Sequence, residues 1–220
     1  MKRILEPEVM DSPEEALEYD AMDFTEVNTA FAQEAVELLP ATAKVLDAGT
    51  GTARIPILIC QKHSKWEINA IDLAQSMLEL AKKNVEQANL EGQISLEWVD
   101  AKKMPYPDKY FDGVISNSLL HHLPDPLPFL REIKRVLKSN GAILIRDLLR
   151  PATEEIVNNM VEAIAFEYSS HQTQLFRDSL QAAFSLEEVE QMIQVVGLEG
   201  VKIYQSSDRH WTMKRTWGER

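Results

Sequence analysis

Side chains able to grip a polar, partly charged ligand recur at the carboxyl ends of apolar runs. Val45-Leu46-Asp47-Ala48-Gly49-Thr50-Gly51-Thr52-Ala53-Arg54 has an apolar start, a turn of small residues and then the helical face Ile55 to Cys60, which reads as strand, turn and helix. Glycine at 49 and 51 removes the Cβ atoms that would hold a ligand off the backbone, and Ala53 is small enough to let helix and strand pack closely. Amides at a helix start point outward, ready for an acceptor group. Trp66 to Ile71 runs into Asp72, Ile94 to Val99 into Asp100, and Phe111 to Ile115 into Ser116-Asn117. A carboxylate at the second strand end suits the two hydroxyls of a ribose. His121 and His122 follow the fourth run by a few residues. An imidazole there can accept a proton or hold a substrate, and a helix-start histidine with a structural hydrogen bond is the other reading.

For such groups to act together they must share an edge, and a parallel sheet supplies one, because the carboxyl ends of its strands line a single crevice. Strand and helix alternate from Lys44 to Ile115, which calls for a parallel sheet. The helix from Ala74 to about Asn89 puts Met77, Leu78, Ala81, Val85 and Ala88 on one face, with Gly92 closing it. Met77 at that spacing suits the core, although one turn past Asp72 it also reaches toward a bound base. A helix from about Leu127 to Lys138 is ended by Ser139-Asn140-Gly141, and Ala142 to Ile145 reads as a strand buried on both faces. It delivers Arg146 and Asp147 to the same edge; successive residues of a strand diverge, so at most one faces the crevice.

The flanks read as covers. Met1 to Asp11 has no periodic pattern and is expected to be an extended or mobile arm. Ser12-Pro13-Glu14-Glu15 signals a helix start, and a second helix spans about Thr25 to Leu39. Tyr19 and Phe24 at their junction either line the crevice or pack the cover. Pro151 to Phe184 holds two consecutive helical patterns, where an α/β enzyme places a substrate lid. Ser185-Leu186-Glu187-Glu188 opens a further helix that Gly197 closes, and Gly200–Gln205 with Trp211–Arg215 form a closing antiparallel pair. Arg150, His171, Arg177, His210 and Trp211 are the polar and aromatic candidates for substrate contact on these flanks, against a salt-bridge network for Arg150 and a sheet-edge anchor for Trp211.

The ordered set of loop, acids and asparagine resembles the class I S-adenosylmethionine-dependent methyltransferases, in particular their small-molecule branch with the methyltransferase type 11 signature, from Lys44 to about Asp147. The resemblance implies a doubly wound, Rossmann-like α/β fold with seven strands, the last antiparallel. It makes residues 1–220 a single domain: a helical lid over 1–40, a cofactor-binding core over 44–147, a helical lid insertion over 151–184, and a final helix with closing strands over 185–220. By the same resemblance Asp47, Ala48, Gly49, Thr50 and Gly51 hold the methionine end of the cofactor, Asp72 with Leu73 the ribose, Asp100, Ala101 and Met77 the adenine side, and Asn117 with Ser118 the sulfonium end. Ala53 stands where the family usually has a third glycine. Asn117 is followed by Ser118-Leu119 and not by the Pro-Pro-aromatic sequence of the enzymes that methylate adenine or glutamine amides.

Composition narrows the rest. A chain of 220 residues with 45% hydrophobic content supports one sizeable core, and its net charge of −12 repels nucleic-acid phosphates. No apolar run approaches a membrane span, so a cytoplasmic protein without a membrane partner is expected, with a small-molecule substrate and with a homodimer left open. The lone Cys60 falls on an apolar helix face and suits packing. No metal is expected: Cys60 has no histidine at zinc-site distance, and His121 and His122, being adjacent, should diverge. Two rivals remain. One is a protein that binds S-adenosylmethionine or its demethylated product without turnover. The other is a nicotinamide oxidoreductase, which the Gly-x-Gly-x-Ala loop and the acid at Asp47 disfavour, because a pyrophosphate would be repelled there.

Overall fold

A computed structural model describes residues 1–6 and 12–219. In chain order the elements are α1 (Pro13–Asp20), α2 (Thr25–Leu38), β1 (Ala43–Ala48), α3 (Arg54–Cys60), β2 (Trp66–Asp72), α4 (Gln75–Ala88), β3 (Ile94–Trp98) and β4 (Phe111–Asn117). A 3-10 turn at Leu120–His122 leads to α5 (Leu127–Val136), β5 (Leu137–Leu148), α6 (Glu154–Ile164), α7 (Ser170–Ala182), α8 (Leu186–Val196), β6 (Lys202–Gln205) and β7 (His210–Arg215). The strands form one seven-stranded sheet in the order β3-β2-β1-β4-β5-β7-β6. β1 to β5 are mutually parallel, and β7 runs antiparallel to both β5 and β6. The resemblance implied this doubly wound sheet with a reversed seventh strand.

Alternation along the strands builds the two faces. Val45, Ile115 and Leu144 pack with Phe31, Ala35, Ile57, Ile59, Ala81 and Val85 from α2, α3 and α4. Their neighbours Leu46, Val114, Ile143 and Ile145 point the other way, onto Leu130 and Ile133 of α5 and Val189 and Ile193 of α8. Each fully buried aliphatic side chain contributes roughly 1.5–3 kcal/mol, so the central strands, apolar on both faces, anchor the fold. Strand order reverses between β1 and β4, so the tips of these two neighbours border the crevice that such sheets leave at the turning point.

Three details refine the sequence reading. Asn89, in the left-handed region at φ 56°, ends α4, three residues before Gly92; a short polar side chain tolerates that conformation, so no glycine is needed. α5 stops at Val136 and β5 begins at Leu137, so Lys138 to Gly141 belong to the strand. Leu137 pairs with Phe111 across a register shift, and this pairing outweighs the helical pattern that Leu137 continues. Residues 1–6 are extended but tied down. The Ile4 amide donates to the Gln181 carbonyl, and Arg3 donates to the carbonyls of Ala182, Pro124, His121 and Leu123 while stacking on Phe184. The rest of that arm, 7–11, lies outside the described residues. Among the described residues no helix is long and apolar enough to cross a membrane.

Candidate functional site

The β1–α3 loop folds over the tip of β2. The amides of Gly49 and Thr50 both donate to the Ile71 carbonyl, at 2.9 and 3.0 Å. Gly49 at φ 74° and Gly51 at φ 54° occupy backbone space that glycine enters without strain. Ala53 shares it at φ 62° as the residue that opens α3. Asp72 closes the loop from the side: Oδ2 accepts from the Gly51 amide at 2.8 Å and Oδ1 from the Ala74 amide at 2.9 Å. Burial raises the Asp72 pKa against those hydrogen bonds.

Asp47 lies beneath this loop, only 2% exposed. Burial pushes its carboxyl up to about 7; the Thr50 hydroxyl opposes the shift and the charge of Asp72 adds to it. Among the described residues Asp47 has no ion-pair partner. A carboxyl so placed has a strong preference for an incoming cation.

Further along the edge, the Val99 amide donates to the Asp72 carbonyl, which brings the β3 exit beside β2. Asp100 is half-buried, takes the Lys102 amide at 2.9 Å and lies 3.4 Å from its ammonium. Ala101 packs against the α5–α8 side of the core, and the indole of Trp98 donates to the Leu73 carbonyl. Asn117 ends β4 beside Arg146, and Ser118, at φ 59°, turns the chain away while its amide donates to the Arg146 carbonyl. The strand ends carrying residues 47, 72, 100 and 117 therefore converge on one edge.

The cover lies close on the loop. A Cβ on Gly51 would meet the Tyr19 ring at 3.7 Å, and one on Gly49 would meet Leu119 at 3.0 Å. Tyr19 packs on Phe24, and burial among Asp72, Asp20 and Asp47 raises its phenol to about 12. Met77 is buried with Ala16, Ala74, Tyr19 and Leu80, so it cements α1 to α4. Asp20 at the end of α1 pairs with Arg54 and accepts from Asn84, which latches α1 onto the loop. Two open depressions, of about 270 and 380 Å³, lie elsewhere, between α8 and β6 and around Lys44 and Asp112. Tyr19 and Leu119 thus lie against the glycine loop and flank any ligand that reaches its backbone.

Beyond β4 the histidines form a cluster that adjacency argued against. In the 3-10 turn neighbouring side chains sit about 120° apart, and both rings swing to one side, with centroids 4.0 Å apart. His121 is buried, and its Nδ1 lies 2.6 Å from Asp147 Oδ1. Burial works against charge on each partner, yet their mutual attraction and hydrogen bond outweigh it, so His121 is raised and Asp147 lowered. Asp147 also accepts from the amides of Leu120 and Leu148. Glu6 of the extended arm meets both rings: it hydrogen-bonds His122 Nδ1, and its Oε1 lies 3.9 Å from His121 Nε2. The expectation that the two rings diverge is therefore corrected.

Of the flanking candidates, Arg150 is paired with Glu188 at 2.8 Å and bonded to the Ala183 carbonyl, which satisfies it without a substrate. Arg177 joins Glu154 and Asn158 across α6 and α7, and His171 is exposed on α7. Trp211 is wholly buried in the core beside β5, and His210 Nδ1 lies 3.0 Å from the Ser207 hydroxyl. None of the five joins the histidine cluster. Arg146 turns to Glu34 on α2, which leaves Asp147 as the β5 residue facing the crevice side. The sequence offered no signal for Glu6 or for the Asp20–Arg54 latch, since both depend on contacts between segments far apart in the chain.

The fold is that of the class I S-adenosylmethionine-dependent methyltransferases. Residues 46–145, just under half of the chain, match the family model described as a methyltransferase domain. A ubiquinone/menaquinone biosynthesis C-methyltransferase, UbiE, of Desulfotalea psychrophila is 33% identical over 113 residues, 51% of this chain and 44% of that protein. The methyltransferase GfsG of Streptomyces halstedii is 26% identical over 166 residues, 75% of this chain and 55% of that protein. The chain spans about half the length of such curated relatives. A crystal structure of a SAM dependent methyltransferase from Aquifex aeolicus superposes with a TM-score of 0.69 at 21% identity, over 92% of this chain and 97% of that one.

Proposed function

We propose that this chain transfers a methyl group from S-adenosylmethionine to a small organic acceptor. The observation that carries the reading is Asp47: a buried carboxyl without a cationic partner among the described residues, under a loop whose two glycines leave backbone bare. The cofactor's methionine end carries an ammonium group, which is what such a carboxyl lacks. Asp47, Ala48, Gly49, Thr50 and Gly51 would hold that end, Asp72 and Leu73 the ribose, Asp100, Ala101 and Met77 the adenine side, and Asn117 with Ser118 the sulfonium side. Asp72 would exchange its Gly51 contact for the ribose hydroxyls.

The bound cofactor supplies an electrophilic methyl on sulfur. What the chain contributes is alignment of the acceptor, exclusion of water by Tyr19, Leu119 and the lid helices, and a group for any proton the acceptor must lose. His121 and His122 stand nearest that role, with Asp147 fixing the His121 ring. The named relatives support a small-molecule acceptor, and the net charge of −12 and the absence of a spanning helix among the described residues agree with a cytoplasmic enzyme that avoids nucleic acid and membranes.

Calorimetry should show heat with S-adenosylmethionine and S-adenosylhomocysteine and none with NADH; the reverse pattern ends the reading. A mass-spectrometric screen of metabolite pools against an Asp47→Ala control separates an enzyme from a passive binder. Cofactor binding with no methylated product above the control supports the binder.

A further inference from the structure

Glu6, His121 and His122 come from two places in the chain 115 residues apart, yet one donor atom from each lies within 4.8 Å of the other two. The residues behind them fix their orientation. His121 Nδ1 lies 2.6 Å from the Asp147 carboxylate, which can only accept, so in the neutral ring the proton sits on Nδ1 and the Nε2 lone pair faces Glu6. The Ser179 hydroxyl donates to Glu6 Oε1 at 2.7 Å. A ring held by a carboxylate through one nitrogen, with the other nitrogen free, is the arrangement found behind metal-bound histidines. Two imidazoles and a carboxylate are borderline donors that suit zinc and its neighbours in the transition series.

We propose that Glu6, His121 and His122 bind a divalent transition-metal ion of the zinc class. At bonds of ~2.1 Å, tetrahedral ligands sit ~3.4 Å from one another. His121 Nε2 and Glu6 Oε1, now 3.9 Å apart, need to close by about half an ångström. The Glu6–His122 hydrogen bond must open, and the ion takes the place of its proton. Both moves fall on adaptable parts, since His122 is half-exposed and Glu6 sits on an extended arm. The charge balance is favourable: Glu6 and Asp147 are acidic, and the nearby Arg3 guanidinium is committed to four carbonyls. Three protein ligands leave a fourth position open, the pattern of metal sites that take up a water or substrate oxygen. With the ion bound, the two imidazoles are ligands and no longer proton acceptors. The site stands on ligand geometry and does not depend on methyl transfer.

The test uses the untagged 220-residue chain stripped with a chelator, titrated with ZnCl2 by calorimetry and with CoCl2 by visible absorption. One equivalent of Zn2+ should bind, and Co2+ should develop the intense d–d bands of a four-coordinate site. Glu6→Gln and His122→Ala should each weaken Zn2+ by more than ~10-fold, the lower end of what losing an outer partner costs, while His171→Ala changes nothing. Arg3 and Ile4 keep the arm docked in these variants, so circular dichroism should report an unchanged fold and the loss reports ligation. Ser179→Ala, which keeps all three ligands, should weaken binding by ~10-fold or less. Absence of saturable uptake, or uptake equal to wild type in both Glu6→Gln and His122→Ala, overturns the proposal.

Discussion

Asp47→Asn isolates the cost of keeping an acid under the glycine loop. Burial lifts the carboxyl from its ordinary 3.8 to about 7, the Thr50 hydroxyl resisting and Asp72 assisting. At ~1.4 kcal/mol per pH unit, that difference is a penalty of about 4 kcal/mol once the group is fully ionised. The folded protein holds this proton more tightly than the unfolded chain. Stability contributed by the protonated acid is therefore complete below about pH 4 and falls as pH rises toward 7, beyond which the deficit is constant. Asparagine keeps the shape and carries no charge at any pH. Urea unfolding should find wild type and variant alike near pH 4, with the variant up to about 4 kcal/mol more stable at pH 8. Cofactor binding should move the opposite way. The ammonium group needs the carboxylate, so wild-type affinity is flat above pH 7 and weakens by up to ~10-fold per unit below it, while the variant binds weakly throughout. Equal stability of the two proteins at pH 8, or undiminished cofactor affinity in the variant, would refute the account of Asp47 as a carboxyl kept for a cation.

Three further outcomes follow from neighbouring contacts. Asp72→Asn should weaken S-adenosylmethionine by about 1–3 kcal/mol in calorimetry, because charged hydrogen bonds are lost while the shape stays. Gly49→Ala puts a Cβ 3.0 Å from Leu119 at a φ of 74°, and should cost about 1–2 kcal/mol, read as a fall in Tm of roughly 2–8 °C. Arg54→Ala releases Asp20 from the loop. Since Arg54 is half-exposed, stability should change by less than ~1 kcal/mol, yet stopped-flow should show faster cofactor association; an unchanged rate means that α1 does not gate the loop.

The strand tips were legible because each is written locally, as an apolar run ending in an acid or amide, and the two glycines announce the loop between them. The capping boxes at Ser169–Gln172 and Ser185–Glu188 formed as such, and Ser185 had marked α8 in advance. What stayed hidden depends on tertiary contact. Glu6 belongs to a stretch without periodicity, and only the docking of Arg3 and Ile4 brings it to the histidines. Arg150 and Trp211 have chemistry that suits a ligand wall, but their partners, Glu188 and the core beside β5, lie far away in the chain. Leu137 continues a helical stripe and also begins a strand, so periodicity alone could not divide α5 from β5.

Every neighbour of the Asp147 carboxylate offers it a hydrogen: two backbone amides, at 2.6 Å from Leu120 and 2.7 Å from Leu148, and the His121 ring at 2.6 Å. An amide side chain of the same outline would bring hydrogens of its own and set donor against donor, turning one of the three away. The position is thus set by lone pairs and not by volume, and an isostere there would leave one buried donor of the turn unpaired.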